Sequence, residues 1–428
     1  VLWLHNQGKF SFAYNNVIFF NNNKSLIKVM DVSKIRNDFP ILAKAKPPIY
    51  FDNACMSLKP VQVIQAITEY YESYPACAGR SVHRLSDRVE QEIERARQTI
   101  AKLVGAKSKE IIFTRNTTEA LNLFYHSFPF KKGDVILTTD KEHNSNLLPI
   151  QKMAKERGIL YQIVPSKPDN IFDIEKFNSM MSKKVRVVSM VHTSNLDGVT
   201  NPVKEIAKIA KDYGSVVLLD GAQSVPHRPI DVKKLGIDGL AWSGHKMCGP
   251  TGTGCLWLAS NILEDLNPFM LGGDTVSNST YKSYQLLPPP ARFEAGLQDY
   301  AGIIGFGAAA QYLQKIGLNT IEKYELQLNK MLTESISDIP GLSIIGPQDP
   351  ALRSGILSFT IKGLDHHQIA LLLDRMANIA VRSGQHCVHS WFNARGIKGS
   401  VRASLYFYNT NEEVKTFAET LKKIAGLK

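Results

Sequence analysis

The sequence has little of what marks unusual proteins. Its 428 residues contain no uncharged apolar run of the roughly 18–20 residues that crosses a bilayer, so no membrane partner is expected. Cysteine is scarce, with five in all: Cys55, Cys77, Cys248, Cys255 and Cys387. Their number is odd, their spacing wide, and no Cys-x-x-Cys pair occurs. That speaks against a zinc ribbon or a disulfide framework, and for the reduced thiols of a cytoplasmic protein. Internal repeats, low-complexity linkers and dense basic runs are all absent. The excess of 51 Lys and Arg over 39 Asp and Glu, a net charge of +12, therefore reads as an ordinary basic surface and not as a nucleic-acid site. With 44% hydrophobic and 21% charged residues, the chain is neither disordered nor fibrous.

Acidic residues are missing altogether from residues 1–29, where Lys9, Lys24 and Lys28 are the only basic ones. The apolar stretch Val17–Phe20 is too short for a signal sequence and runs into Asn21-Asn22-Asn23. We expect 1–29 to be a disordered or dispensable extension and 30–47 to be an N-terminal arm. From about residue 60, helical and strand periods alternate. Val61, Ile64, Ile67 and Tyr71 recur at helical spacing, as do Val89, Ile93, Ala96 and Ile100. Short continuous apolar runs follow at Ile111–Phe113, Val135–Leu137, Val185–Val191 and Val216–Leu219. Val185–Val191, a helix opened by Pro202, and Val216–Leu219 form a βαβ unit, the signature of a parallel sheet covered on both faces. Leu240–Trp242 and Gly254–Leu258 add two strands. After residue 300 the text becomes helix-rich, then reads strand, helix, strand, helix, with Val401–Tyr408 as the last strand. Thr410 and Glu413 stand at capping-box spacing before the last helix. The expected division is a large α/β domain over 48–310, with a mostly parallel seven-stranded sheet, and a smaller α+β domain over 311–428.

Four short motifs carry chemistry when taken together. Asp220, in Leu219-Asp220-Gly221-Ala222-Gln223, ends a buried strand, where open α/β sheets bind ligands; a carboxylate there needs a partner. Lys246, in Ser243-Gly244-His245-Lys246, closes the next strand and supplies an amine able to condense with an aldehyde. An amine for the aldehyde and a carboxylate for a pyridinium nitrogen are what pyridoxal phosphate requires. Thr114-Arg115-Asn116-Thr117-Thr118-Glu119 lies between a strand and a helix starting near Glu119, where hydroxyls and amides suit a phosphate. His143, in Glu142-His143-Asn144-Ser145-Asn146, follows another strand and suits stacking or proton transfer. Each motif alone has an ordinary explanation in capping, packing or surface charge.

The order of these motifs resembles the class V aminotransferase family of fold-type I pyridoxal-phosphate enzymes, and within it the Suf-type cysteine desulfurases and selenocysteine lyases. Phe51-Asp52-Asn53-Ala54, Ser194-Asn195, Arg292-Phe293-Glu294-Ala295-Gly296 and Arg402-Ala403-Ser404-Leu405-Tyr406 extend the match from about Phe39 to Leu421. The resemblance implies that Lys246 anchors the cofactor covalently, Asp220 pairs with its pyridine nitrogen, Gln223 bonds its phenolate oxygen and His143 stacks on the ring. It assigns Thr117, Thr118, Ser243 and His245 to the phosphate. Asn195 and Arg402 are assigned to the substrate carboxylate, with Arg382 and His83 also on the substrate side. Cys387, in Arg382-Ser383-Gly384-Gln385-His386-Cys387, matches the cysteine that accepts sulfur from L-cysteine as a persulfide, with Arg382 or His386 as the cation favouring the thiolate. His386 and His389 flank it without a further ligand in sequence, so no metal is expected.

The implied protein is a homodimer that hands sulfur to an acceptor or scaffold protein for iron–sulfur cluster or thio-cofactor assembly. Two departures stand out. Leu297 occupies the place of a threonine whose hydroxyl reaches the phosphate of the partner subunit. Cys55 and Met56 replace a small Ala-Ser pair near the substrate pocket. Cys55 and Cys77 are expected to serve packing. The alternatives are a selenocysteine lyase or another class V activity and, from a different class, a basic scaffold with degenerate cofactor motifs.

Overall fold

The computed structural model describes residues 30–427; the extension expected over 1–29 lies outside them. Seven strands form the main sheet: β1 (Ile111–Thr114), β2 (Val135–Thr139), β3 (Leu160–Val164), β4 (Val185–Val191), β5 (Val216–Asp220), β6 (Gly239–Ser243) and β7 (Gly254–Leu258). Their spatial order is β1-β7-β6-β5-β4-β2-β3. The pairs from β3 through β6 are parallel, whereas β7 runs antiparallel to both β6 and β1. Alternation along each strand divides the interior in two. Leu137, Val188, Leu219 and Trp242 join one core, while their neighbours Ile136, Val187, Leu218 and Ala241 join the other.

Helices α1 (Val61–Ser73), α2 (Arg84–Leu103), α3 (Thr117–Ser127), α4 (Asn144–Arg157) and α5 (Val203–Asp212) cover this sheet and its flank. On α5 the stripe Val203, Ile206, Ala207 and Ala210 is buried at the spacing of one helical face. The long α6 (Tyr300–Ile316) is buried almost throughout and leads into α7 (Leu318–Ile336).

A second sheet of four antiparallel strands follows: β8 (Leu342–Ile345), β9 (Ile356–Ile361), β10 (Arg382–Gly384) and β11 (Ser400–Ser404), in the order β8-β9-β11-β10. Helices α8 (His366–Ala377) and α9 (Asn411–Ala425) accompany it, and the Thr410/Glu413 capping box opens α9 as the spacing predicts. At the other end of the chain, Arg36 donates to the Tyr408 carbonyl at 2.7 Å and pairs with Glu413 at 2.8 Å, while Phe39 packs on Tyr408. Ile49–Tyr50 then pairs with Ile379–Ala380, and an isolated bridge joins Asp52 to Ser404. The segment after residue 49 is thereby led from the second sheet toward the strand ends of the first.

Two readings of the sequence need correction. Strand β3 is absent from the apolar-run reading because it is an edge strand whose Leu160, Gln162 and Ile163 are exposed. The strand expected over Val401–Tyr408 stops at Ser404. From Leu405 the backbone turns, its amide taken by the Gly355 carbonyl and that of Tyr406 by the Asn409 side chain. The buried aromatics Tyr406, Phe407 and Tyr408 belong to that turn.

Candidate active site

The carboxyl ends of β4, β5 and β6 converge on one cavity of about 240 Å³. Asp220, the last residue of β5, lies between Val191 and Ala241 of its neighbours. Its carboxylate accepts the Ala222 N–H at 2.9 Å, and burial pushes its pKa up despite the opposing charge of Lys246. Lys246 ends a single 3₁₀ turn, Gly244–Lys246, directly after β6. Burial lowers the pKa of its amine, with the Asp220 carboxylate working the other way.

The phosphate-like corner depends on a close approach of backbones. A Cβ on Gly254 of β7 would stand 2.6 Å from Asn116 Cα and 2.8 Å from the Trp242 carbonyl, so only glycine fits. That closeness brings the start of α3 beside the end of β6. Thr117 N–H donates to Ser243 Oγ at 2.8 Å, and the two hydroxyls lie 2.6 Å apart. Thr118 Oγ1 meets Ser145 Oγ at 2.7 Å. Helix α3 begins at Thr117, two residues before the expected start, because Asn116 caps it by accepting the Glu119 N–H. Hydroxyls gathered at a helix start, with His245 alongside, make an anion seat.

His143 caps α4, its Nδ1 accepting the Ser145 N–H at 3.1 Å. Burial, reinforced by the positive charges of Lys246 and Arg402, lowers its pKa to about 3, so the ring is neutral and carries its proton on Nε2. Burial likewise lowers His245 to about 4. Behind them, the buried Glu142 carboxylate receives Thr139 Oγ1 at 2.6 Å, Asn146 Nδ2 at 2.7 Å and the Val191 N–H, which holds α4 to β4.

The opposite wall belongs to the second sheet. Arg402 of β11 is buried; its Nη1 donates to the Asn195 carbonyl at 3.0 Å and its Nη2 approaches Asp52 at 3.5 Å, while Nε has no partner among the described residues. Burial lowers its pKa. Cys387 sits in a tight turn with His386, both in the left-handed region (φ 61° and 51°). Three hydrogen bonds hold that turn: Val388 N–H to the Gln385 carbonyl, Asn195 Nδ2 to the His386 carbonyl at 2.7 Å, and Asn144 N–H to the Cys387 carbonyl at 2.8 Å. Arg382 of β10 spreads its guanidinium between two sulfurs, Nη1 being 3.0 Å from Cys55 Sγ and Nη2 3.6 Å from Cys387 Sγ.

Lys246, Cys387, His143, Thr117, Thr118, Asp220, Gln223, Ser243, His245, Asn195, Arg402 and Arg382 all line this one cavity. His83 does not; it caps α2 through the Ser86 N–H and is exposed. Of the two cations considered for the thiol, Arg382 is the one beside it. His386 is buried with its Nε2 on Ser400 Oγ at 2.8 Å, and desolvation lowers its pKa to about 2, so it brings no charge. Cys55, expected to be a packing residue, lines the cavity, whereas Cys77 is exposed and Cys248 and Cys255 are buried. Ser145 is a further wall residue, quoted within the His143 motif but given no role there, and Asp52, quoted in Phe51-Asp52-Asn53-Ala54, stands behind the wall against Arg402. Leu297 is 63% exposed and stands outside the cavity. Among the described residues, no group of three or more His, Cys, Asp or Glu is placed to hold a metal ion, and no helix is long and apolar enough to cross a membrane.

With this geometry in view, the chain was compared with known proteins. The sequence profile of the family Aminotransferase class-V matches residues 49–417. The chain belongs to the class-V aminotransferase family. It is 38% identical to a probable cysteine desulfurase of Methanothermobacter thermautotrophicus, over 93% of this chain and 99% of that one. Among solved structures, the apo cysteine desulfurase of Thermococcus onnurineus NA1 superposes with a TM-score of 0.89 at 38% identity, covering 92% of this chain and 98% of that one. The cysteine desulfurase CsdA of Escherichia coli, in an S-sulfonic acid form, superposes with a TM-score of 0.87 at 30% identity, covering 94% and 100%. Membership of this family accounts for the fold-type I architecture, with its seven-stranded, mostly parallel sheet.

Proposed function

We propose that the chain is a pyridoxal-phosphate-dependent cysteine desulfurase, which converts L-cysteine to L-alanine and retains the sulfur as a persulfide on Cys387. The observation that carries this reading is a single cavity in which a half-buried lysine, a buried strand-end aspartate and a cysteine held in a strained turn face one another. The cavity fits the cofactor. Arg402 Nε is a buried donor without a partner among the described residues, and Asp220 has one backbone donor and no counter-charge beyond Lys246. Such groups are costly when left alone; a ring with a protonated nitrogen would satisfy the Asp220 carboxylate, and a substrate carboxylate would satisfy the Arg402 donor.

When bound, pyridoxal 5′-phosphate supplies an electron sink that weakens the Cα–H and Cβ–S bonds of an amino acid. The chain does the rest. Lys246 Nζ is the covalent anchor, and its lowered pKa makes the neutral amine available to take the Cα proton. Asp220 would pair with the protonated nitrogen of the ring, whose positive charge favours the carboxylate form. Thr117, Thr118, Ser243 and His245 would seat the phosphate, and Gln223 would bond the ring oxygen through its amide NH2 group, which also donates to the Ala54 carbonyl at 2.7 Å. Neutral His143 would cover the ring face and offer its Nε2 proton. Arg402 and Asn195 hold the carboxylate, which orients the substrate side chain toward Cys387. Cys387 Sγ then bonds to the substrate sulfur as the Cβ–S bond breaks, that bond's electron pair remaining with carbon.

The same reading includes a homodimer, a cytoplasmic location, and a large (48–310) and a small (311–428) domain bordering the cavity. It also includes a protein that accepts the sulfur for iron–sulfur cluster or thio-cofactor assembly. The dimer is supported by the exposed apolar run Phe269, Met270 and Leu271 together with Tyr281, Tyr284 and Leu297. His83 belongs to the substrate site in this reading only across the dimer. Mass spectrometry after L-cysteine treatment tests the function. A one-sulfur adduct is expected on Cys387, with alanine formed in step, and the Cys387→Ala variant should lose both while remaining yellow. Alanine formation at the wild-type rate by Cys387→Ala would overturn the reading.

A further inference from the structure

Of the two thiols that line the cavity, Cys55 is the one to which the reaction above assigns no role. It is a half-buried thiol at the end of the turn Asp52–Cys55, whose closing hydrogen bond runs from Cys55 N–H to the Asp52 carbonyl at 3.1 Å. The turn is fastened on both sides. Ala54 N–H donates to Ser404 Oγ at 2.9 Å and Asn53 Nδ2 to the Ser404 carbonyl at 2.8 Å, while Ser57 N–H reaches the His245 carbonyl at 3.0 Å. The sulfur is therefore held in place. Arg382 touches it at 3.0 Å with one nitrogen and Cys387 Sγ at 3.6 Å with the other. Both thiols also lie close enough to Lys246 to act on its charge. Two sulfurs on one guanidinium, in one cavity, with independently fastened turns, form an arrangement that a single sulfur acceptor does not need.

We propose that Cys55 is a second sulfur-bearing residue, to which the outer sulfur of the Cys387 persulfide transfers within the cavity. The proposal rests on the persulfide chemistry proposed above. Sulfur accepted by Cys387 from a substrate in the cavity leaves its outer atom in the space that Cys55 also lines. The Cys55 thiolate bonds to that outer sulfur; the Cys387–sulfur bond breaks, and its electron pair leaves on Cys387 as thiolate. The Cys55 proton passes to solvent or to the released thiolate. No oxidant or reductant is consumed, because a persulfide and a thiol become a thiol and a persulfide. Arg382 bridges both sulfurs, so the negative charge shifts from one to the other without losing its cation. Cys387 is thereby freed for a second turnover while the first sulfur waits on Cys55.

The test uses holoenzyme and one equivalent of L-cysteine carrying heavy sulfur, followed by rapid alkylation and peptide mass spectrometry over time. Label is expected first on Cys387 and then on Cys55, reaching on the order of one tenth or more of the total at Cys55, as suits two thiols of similar chemistry. The exposed Cys77 should remain clear. Cys387→Ala should abolish the label on Cys55. Cys55→Ser and Cys55→Ala should both label Cys387 alone, and with excess L-cysteine should carry one stored sulfur where wild type carries two. Label on Cys387 with none on Cys55 overturns the proposal and leaves the desulfurase reading standing. Equal label on Cys55 and Cys77, or a Cys55–Cys387 disulfide, also overturns it. Absence of label on Cys387 in every sample overturns both.

Discussion

On the cofactor side of the cavity, the functional groups leave strand ends or the first turns of helices: Asp220 ends β5, Lys246 follows β6, Thr117 opens α3 and His143 caps α4. On the thiol side, Cys55 and Cys387 sit in turns, Cys387 with a left-handed backbone, fastened by hydrogen bonds to residues far away in sequence. The first wall derives its placement from sheet register and a packed core. The second derives it from a few individual bonds and one shared guanidinium. A rigid wall suits a cofactor whose position must not vary, and a wall on a few tethers suits a sulfur that must be delivered elsewhere.

That contrast can be broken or sharpened experimentally. The largest effect is expected from Lys246→Ala, which should abolish the visible absorption of the holoenzyme and lower alanine formation by more than about a thousand-fold; wild-type colour in this variant would remove Lys246 from the rigid wall. Next is Gly254→Ala, where the added methyl meets the Asn116 backbone at 2.6 Å. Overpacking there should cost about 1–3 kcal/mol in a denaturant titration and weaken phosphate retention along with stability. If stability alone fell, the phosphate corner would not depend on that close approach.

On the tethered wall, Asn195→Ala removes the donor to the His386 carbonyl. At saturating L-cysteine it should slow sulfur transfer about tenfold, as expected for one buried hydrogen bond, and it should raise the KM through the lost contact to the substrate carboxylate, with cofactor absorption unchanged. A change in colour without a change in transfer rate would assign Asn195 to the cofactor wall instead.

The last effect is electrostatic. Burial holds His386 near a pKa of about 2 and His192 near about 3, far below the 6.5 of an unfolded chain. The unfolded state therefore binds more protons below pH 6.5, and stability is lost as the pH falls through that value, at about 1.4 kcal/mol per pH unit for each such group. Thermal midpoints measured between pH 7 and 5 should decline less steeply in His386→Gln. An unchanged slope would mean that the turn opens to admit the proton.

The rigid wall was the legible one. Asp220, Lys246, His143 and the two threonines stand in short continuous motifs at strand ends, so period and turn chemistry expose them. The βαβ unit and the α9 capping box are local in the same sense. What could not be read locally is what distant segments do to one another. Cys55 became a wall residue because the 52–57 turn is tied to β11, some 350 positions away. His386 was a reasonable cation beside the thiol until Ser400 and the packed interior claimed its ring. The aromatic run after Ser404 has strand composition, and Gly355 together with Asn409 turns it aside.

The hydrogen bond from Asn144 N–H to the Cys387 carbonyl has a consequence of its own. Asn144 directly follows His143, so the residue proposed to cover the cofactor and the turn proposed to carry sulfur share one mechanical joint. A protein that draws the Cys387 turn outward to collect sulfur must break or stretch that joint, loosening the first turn of α4 and the ring at its cap. Delivery at the surface would then be visible as a change in the colour of the bound cofactor, and the absorption spectrum becomes an optical gauge of acceptor docking.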